Sequence, residues 1–261
     1  MKNLVICGDS FSIGIGCHNL KTEPYGSLLA KKLGLNLINF AKGSSTNLSI
    51  SLQVKHAVEH INDIELLIVG NTCYHRTEWF PENASEHREA NNLNVNYHQY
   101  PPYGEGTYPY LIDNPMQQYP NYTGEMLTEN WYGVIDYVDT WLDKGKGSST
   151  YFSKFKNERD ERMRLLKQYY LEFFDGRIQR QYDMGVIVKS HVLLKNRNIK
   201  HLVLTNDAEF NSYLPQENLV DIDWGKLSLK YPDDLKSLHT SYEGHIEVYD
   251  AIISKLDKKL I

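Results

Sequence analysis

A short apolar run, Leu4-Val5-Ile6-Cys7, stops at Gly8-Asp9-Ser10, and the same change from apolar run to turn to helical stretch then repeats along the chain. Residues 3–7 read as a buried strand. Residues 24–33 keep a helical pattern, with Pro24 suited to the first turn and Gly34 to the stop. A second strand follows at 35–40, a polar loop at 42–47, a helix at 48–61 and a third strand at 65–69. This β-α-β-α-β order predicts a three-layer α/β domain, its parallel sheet joined by right-handed crossovers. Open sheets of this kind hold their chemistry at the carboxyl ends of the strands. Ser10, at the end of the first strand, is therefore a candidate nucleophile.

The alternation breaks after the third strand. Residues 80–150 are rich in Tyr, Asn, Pro and Gly, with Tyr97, Tyr100, Tyr103, Tyr108, Tyr110, Tyr119, Tyr122 and Trp131 among them. A structureless loop of that length is unusual in a compact domain. We expect an insertion or cap within a single domain spanning 1–261, leaving the core at the carboxyl edge and folding over it. Residues 145–149, Gly-Lys-Gly-Ser-Ser, read as a joint. Helical pattern returns at 157–174 and 177–196, and 200–204 is a fourth strand. Residues 211–236 read as irregular. The last helix is expected at 241–256, with Thr240 and Glu243 at capping-box spacing.

Bulk properties narrow the function. The net charge of -5, with no long basic run, argues against nucleic acid as the main partner. No apolar run approaches membrane-spanning length. The N-terminal apolar run is too short for a signal peptide and belongs to strand one, so a cytoplasmic location is expected. Three cysteines do not make a fully paired framework, and Cys7 reads as a small core hydrophobe.

A serine hydroxyl needs a neighbouring base, and His is the usual one. The far end of the chain supplies His239, just before the last helix. Gly8-Asp9-Ser10 near the N-terminus, paired with His239, resembles the SGNH (GDSL-type) hydrolase family over about the first eighty and last sixty residues. The resemblance implies a flavodoxin-like SGNH-type fold, Ser10 as nucleophile and His239 as base. It implies an oxyanion hole from the backbone N–H groups of Ser10 and Gly43 and the side chain of Asn71. The family's Gly-x-Asn-Asp stands here as Gly70-Asn71-Thr72, and Lys236 occupies the position of its catalytic acid. A displaced acid is then Asp234, preferred as the nearer to His239, or Asp233; the alternative is a Ser–His dyad steadied by a backbone carbonyl. Asp9 is expected to brace its turn by local hydrogen bonding. The implied activity is that of a serine esterase or deacylase without cofactor or metal. Its substrate would be a small-molecule or carbohydrate ester, acylated carbohydrate being preferred because Tyr and Trp faces suit sugars. The reduced third and fifth elements favour a different class, a non-catalytic SGNH-like binding or structural module, and resemble viral members of the superfamily.

Other motifs compete less well. His56-Ala57-Val58-Glu59-His60 fits an inverted zinc-peptidase signature. With the core face set by Ile50, Val54, Ala57, Val58 and Ile61, both histidines fall to its side and read as surface residues. Gly14-Ile15-Gly16 lacks the third glycine of a dinucleotide loop, and Thr205-Asn206-Asp207 alone signals no ribose. Arg76 and Glu78 read as a loop ion pair or polar substrate contacts, and His245 as a packing or capping residue.

Overall fold

A computed structural model describes residues 2–41, 45–72, 176–233 and 239–257. The expected insertion at 80–150 with its tyrosines and Trp131, the joint at 145–149 and the helix at 157–174 lie outside the described residues. So do Gly43, Cys73, Arg76, Glu78, Asp234 and Lys236.

The described residues build a parallel five-stranded sheet in the order β2-β1-β3-β4-β5. The strands are β1 (Asn3–Cys7), β2 (Asn36–Asn39), β3 (Ile64–Gly70), β4 (His201–Thr205) and β5 (Leu219–Asp221). This is one of the common doubly wound orders, in which the chain reverses direction between β1 and β3 and leaves a crevice at their carboxyl ends. Helices α1 (Ser10–Ile13), α2 (Tyr25–Leu33), α3 (Asn47–His60), α4 (Gly176–Asn196), α5 (Trp224–Lys230) and α6 (Tyr242–Asp257) connect and cover the strands.

The apolar runs of the strands follow from burial on both faces. Leu4, Ile6, Leu66, Ile68, Leu202 and Leu204 pack with Tyr25, Leu29, Trp224, Val248 and Ile252, beneath α2, α5 and α6. Their neighbours Val5, Cys7, Leu67, Val69 and Val203 turn to Ile50, Val54, Ala57, Met184 and Ile187, beneath α3 and α4. Each fully buried Leu or Ile of this kind is worth about 1.5–3 kcal/mol relative to exposure.

Three expectations are corrected. Residues 211–233, the described part of the stretch expected to be irregular, are not so: a 3-10 turn at Ala208–Ser212, a second at Gln216–Asn218, β5 and α5 occupy most of them. Asp223 caps α5, its side chain accepting from Lys226 N–H at 3.0 Å. Thr240 does not form the expected capping box. Its hydroxyl lies 3.2 Å from the Leu227 carbonyl and 3.1 Å from that of Tyr231, tying the chain before α6 back to α5, while Ser241 Oγ donates to Glu243 at 2.5 Å. His56, finally, is buried rather than at the surface. The core stripe of α3 is centred on Ile50, Val54 and Ala57, with Val58 and Ile61 only at its margin. That rotation carries the His56 ring edge-on to Phe40, 5.4 Å between centroids. His60 is exposed and stacks on His56 at 4.1 Å, its Nδ1 3.0 Å from the His56 carbonyl. Among the described residues no group of three or more His, Cys, Asp or Glu is arranged to hold a metal ion, and no helix is long and apolar enough to cross a membrane.

Candidate active site

Ser10 opens α1 directly after β1. Asp9 caps that helix, Oδ1 accepting from Phe11 N–H at 3.1 Å, and Oδ2 accepts from the Thr72 hydroxyl at 2.8 Å. One buried carboxylate thus braces the turn, as expected, and joins it to the loop after β3. The approach is close. A Cβ at Gly8 would lie 2.2 Å from Ser12 Oγ and 2.5 Å from its Cβ, so this position requires glycine; one at Gly70 would lie 2.4 Å from the same Oγ, which would have to turn away. Tyr25, whose burial pushes its phenol up and keeps it neutral, donates to Ser12 Oγ at 3.1 Å and pins α1 from below.

Ser10 and His239, over two hundred positions apart, meet at this edge: His239 Nε2 lies 2.8 Å from Ser10 Oγ. Ser10 is only 5% exposed. The Phe11 ring supports the imidazole, 4.9 Å between centroids, and itself stacks on Trp224 at 4.9 Å. A Ser10 O–H donating to Nε2 requires the neutral imidazole to carry its one N–H proton on Nδ1, the tautomer a serine nucleophile needs.

The segment carrying His239 is held as half of a short antiparallel ribbon. Pro232 bridges Thr240, Asp233 N–H donates to the His239 carbonyl at 3.2 Å, and Ser241 N–H donates to the Tyr231 carbonyl at 2.8 Å. This register sets Asp233 opposite His239. Gly16, at φ +103°, lies against the ribbon: a Cβ there would stand 2.3 Å from the Thr240 carbonyl and 3.3 Å from Asp233 Cβ. Asp233 is 4% exposed.

Asn71 follows β3 at the same edge, its backbone N–H donating to the Leu204 carbonyl at 3.3 Å. Two site-supporting residues escaped the sequence reading. Gln53 of α3 pairs with the backbone of Gly8, and Asn47 of α3 pairs with that of Thr72. Their signal was present in the sequence: with Ile50 and Ala57 they fall three or four residues apart, so they are polar groups inside the core stripe of a helix. Asn47 also donates to the buried carboxylate of Asp183, which accepts from Gln179 as well. Asp207, beyond β4, is held by two hydrogen bonds from Arg180, so its carboxylate already has a structural partner.

Compared with known proteins, the chain matches no family model, no curated protein and no solved structure. The chemistry of the site is therefore read from its own atoms. The described cysteines offer no competing nucleophile: burial pushes the Cys7 thiol up, and burial followed by the charges of Glu23 and Glu243 pushes Cys17 up to about 12.

His245, expected to pack or cap, is fully buried between Tyr25 and Trp224. Tyr25 N–H faces its Nδ1 at 3.4 Å, and its buried Nε2 has no hydrogen-bond partner among the described residues. Burial, reinforced by the charge of His239, lowers its pKa from 6.5 to about 4. Below pH 6.5 the unfolded chain takes up this proton before the folded one. The contribution is thus complete above pH 6.5 and falls away toward pH 4. Between pH 7 and pH 5 it amounts to about 2 kcal/mol. Urea unfolding at both pH values should show wild type losing about that much more than His245→Gln; equal losses would remove His245 from the acid sensitivity.

Proposed function

We propose that the chain is a serine ester hydrolase of the SGNH type, with a flavodoxin-like core and the 80–150 segment as its cap. The observation that carries this reading is the 2.8 Å approach of His239 Nε2 to Ser10 Oγ at the switch point of a parallel sheet. As Ser10 Oγ attacks the ester carbonyl, its proton passes to Nε2. The carbonyl becomes an oxyanion, held by the N–H groups of Ser10 and Gly43 and the Asn71 amide. Collapse expels the alcohol, which takes the proton from His239. Water then gives a proton to the same nitrogen and attacks the acyl-enzyme; collapse breaks the bond to Ser10 Oγ, which takes that proton back as the acid leaves. The acid that orients His239 is Asp233, supported by its burial and its place opposite His239 in the ribbon. Acylated carbohydrate in a cytoplasmic setting remains the preferred substrate, on the family resemblance and the aromatic insertion.

A specific observation favours a second reading, a non-catalytic module. Thr72 stands where the resemblance places an aspartate, and its hydroxyl is committed to Asp9. A fluorophosphonate probe separates the two. The hydrolase reading expects stoichiometric labelling of wild type and none of Ser10→Ala; a folded wild type that stays unlabelled supports the module.

A further inference from the structure

We propose that Gln53 is a positioning residue that sets the height of Ser10 in the crevice, an inference that rests on the hydrolase reading. Gln53 belongs to α3, outside the strand-turn that carries Ser10, and is 0% exposed. Its Oε1 accepts from Gly8 N–H at 2.8 Å, and its Nε2 donates to the Gly8 carbonyl at 3.2 Å. The carboxamide therefore takes both backbone groups of one residue, as a neighbouring strand does in a ladder. Beyond Cys7 the ladder has ended, and Gln53 continues it by one residue from the side. The second hydrogen on Nε2 goes to Ser45 Oγ at 3.1 Å. Ser45 lies just before Thr46, whose hydroxyl caps α3 by accepting from Ser49 N–H at 3.1 Å.

One amide thus locks the nucleophile turn to the start of α3. Gly8 is two residues before Ser10, so a shift of its peptide moves Ser10 N–H and Oγ together relative to His239. The geometry recurs one strand over. Asn47 Oδ1 accepts from Thr72 N–H at 2.9 Å, and its Nδ2 donates to the Thr72 carbonyl at 2.8 Å. Helix α3 therefore fixes the chain after β1 and after β3 by the same device, six residues apart along its own axis. Each amide also has one side-chain partner, Ser45 Oγ for Gln53 and the Asp183 carboxylate for Asn47, but each spends its oxygen and one N–H on both backbone groups of a residue at the edge where the reaction is proposed to occur.

The test pairs Gln53→Met, which keeps the length and loses all three bonds, with Gln53→Glu, which keeps an acceptor for Gly8 N–H. Steady-state hydrolysis of a short-chain nitrophenyl ester gives kcat and KM, thermal unfolding reports folding, and amide exchange at Gly8 reports the clamp independently of activity. A small displacement of a reacting group costs about 100-fold in rate. We expect Gln53→Met to lose about that factor in kcat with KM little changed, and Gln53→Glu to recover at least about tenfold. Gly8 N–H should exchange at least about tenfold faster in Gln53→Met. Unchanged kcat in a folded Gln53→Met overturns the proposal, as does unchanged Gly8 exchange. If Gln53→Met fails to fold, Gln53→Glu with slow Gly8 exchange and a preserved kcat supports it, whereas slow exchange with a lost kcat overturns it. A wild type inert toward both ester and probe would instead sink the hydrolase reading, and the positioning role with it.

Discussion

Replacing His239 by Ala should lower kcat/KM on a simple ester by about 10⁴-fold or more, leaving thermal stability close to wild type. The size follows from the work assigned to one nitrogen. In the proposed mechanism Nε2 removes the Ser10 proton and returns it to the leaving alcohol, then removes a proton from water and returns it to Ser10 Oγ. Without it Ser10 is an ordinary hydroxyl. The small cost in stability follows from position: His239 is half-buried, and the Phe11 ring it touches retains its stack on Trp224. The double variant Ser10→Ala/His239→Ala should be no slower than the worse single variant, because the two groups act as one unit. Multiplicative losses would show that the 2.8 Å contact is not a catalytic pair.

Much of this arrangement is legible in the sequence, for identifiable reasons. β1, β3 and β4 are buried on both faces, so their apolar runs stand out against the polar helices between them. Gly34 signals the end of α2, and it adopts φ +64° there. β5 escapes because Leu219–Asp221 is three residues long, shorter than any alternation a period-2 pattern registers. Thr240 shows the limit of short motifs. Its spacing to Glu243 fits a capping box, but its hydroxyl is drawn to the carbonyls at the end of α5, a contact set by tertiary packing. His56 lies at the margin of the core face that Val58 and Ile61 suggest, and at about 100° per residue a small rotation of that face carries it from surface to core. Gln53 and Asn47 were visible as polar residues in an apolar stripe; what they bind lies in other segments, and spacing along α3 carries no information about Gly8 or Thr72.

The proposed acid rests on register rather than on distance along the chain. Counting along the chain favours Asp234 as nearer to His239, and the resemblance places the acid at Lys236. Proximity in a ribbon follows register instead. Pro232 is bridged to Thr240, so Asp233 faces His239, and residues opposite one another in an antiparallel pair set their side chains on one face, about 4.5–5.5 Å apart at Cβ. That separation suits a carboxylate accepting from imidazole Nδ1–H. Burial bears on the proposal: Asp233 is 4% exposed, and an interaction between buried groups is less screened by water. Asp233→Asn keeps shape and volume but offers an amide, removing the charge and admitting the wrong tautomer. It should therefore lower kcat by about 10⁴-fold with KM little affected, whereas Asp234→Asn should stay near wild type. A purely structural Asp233 predicts a different result, a fall in thermal stability with kcat retained. Near-wild-type turnover in a folded Asp233→Asn would reduce the machinery to Ser10 and His239 alone, with the Asp233–His239 register serving only to hold the ribbon against Gly16.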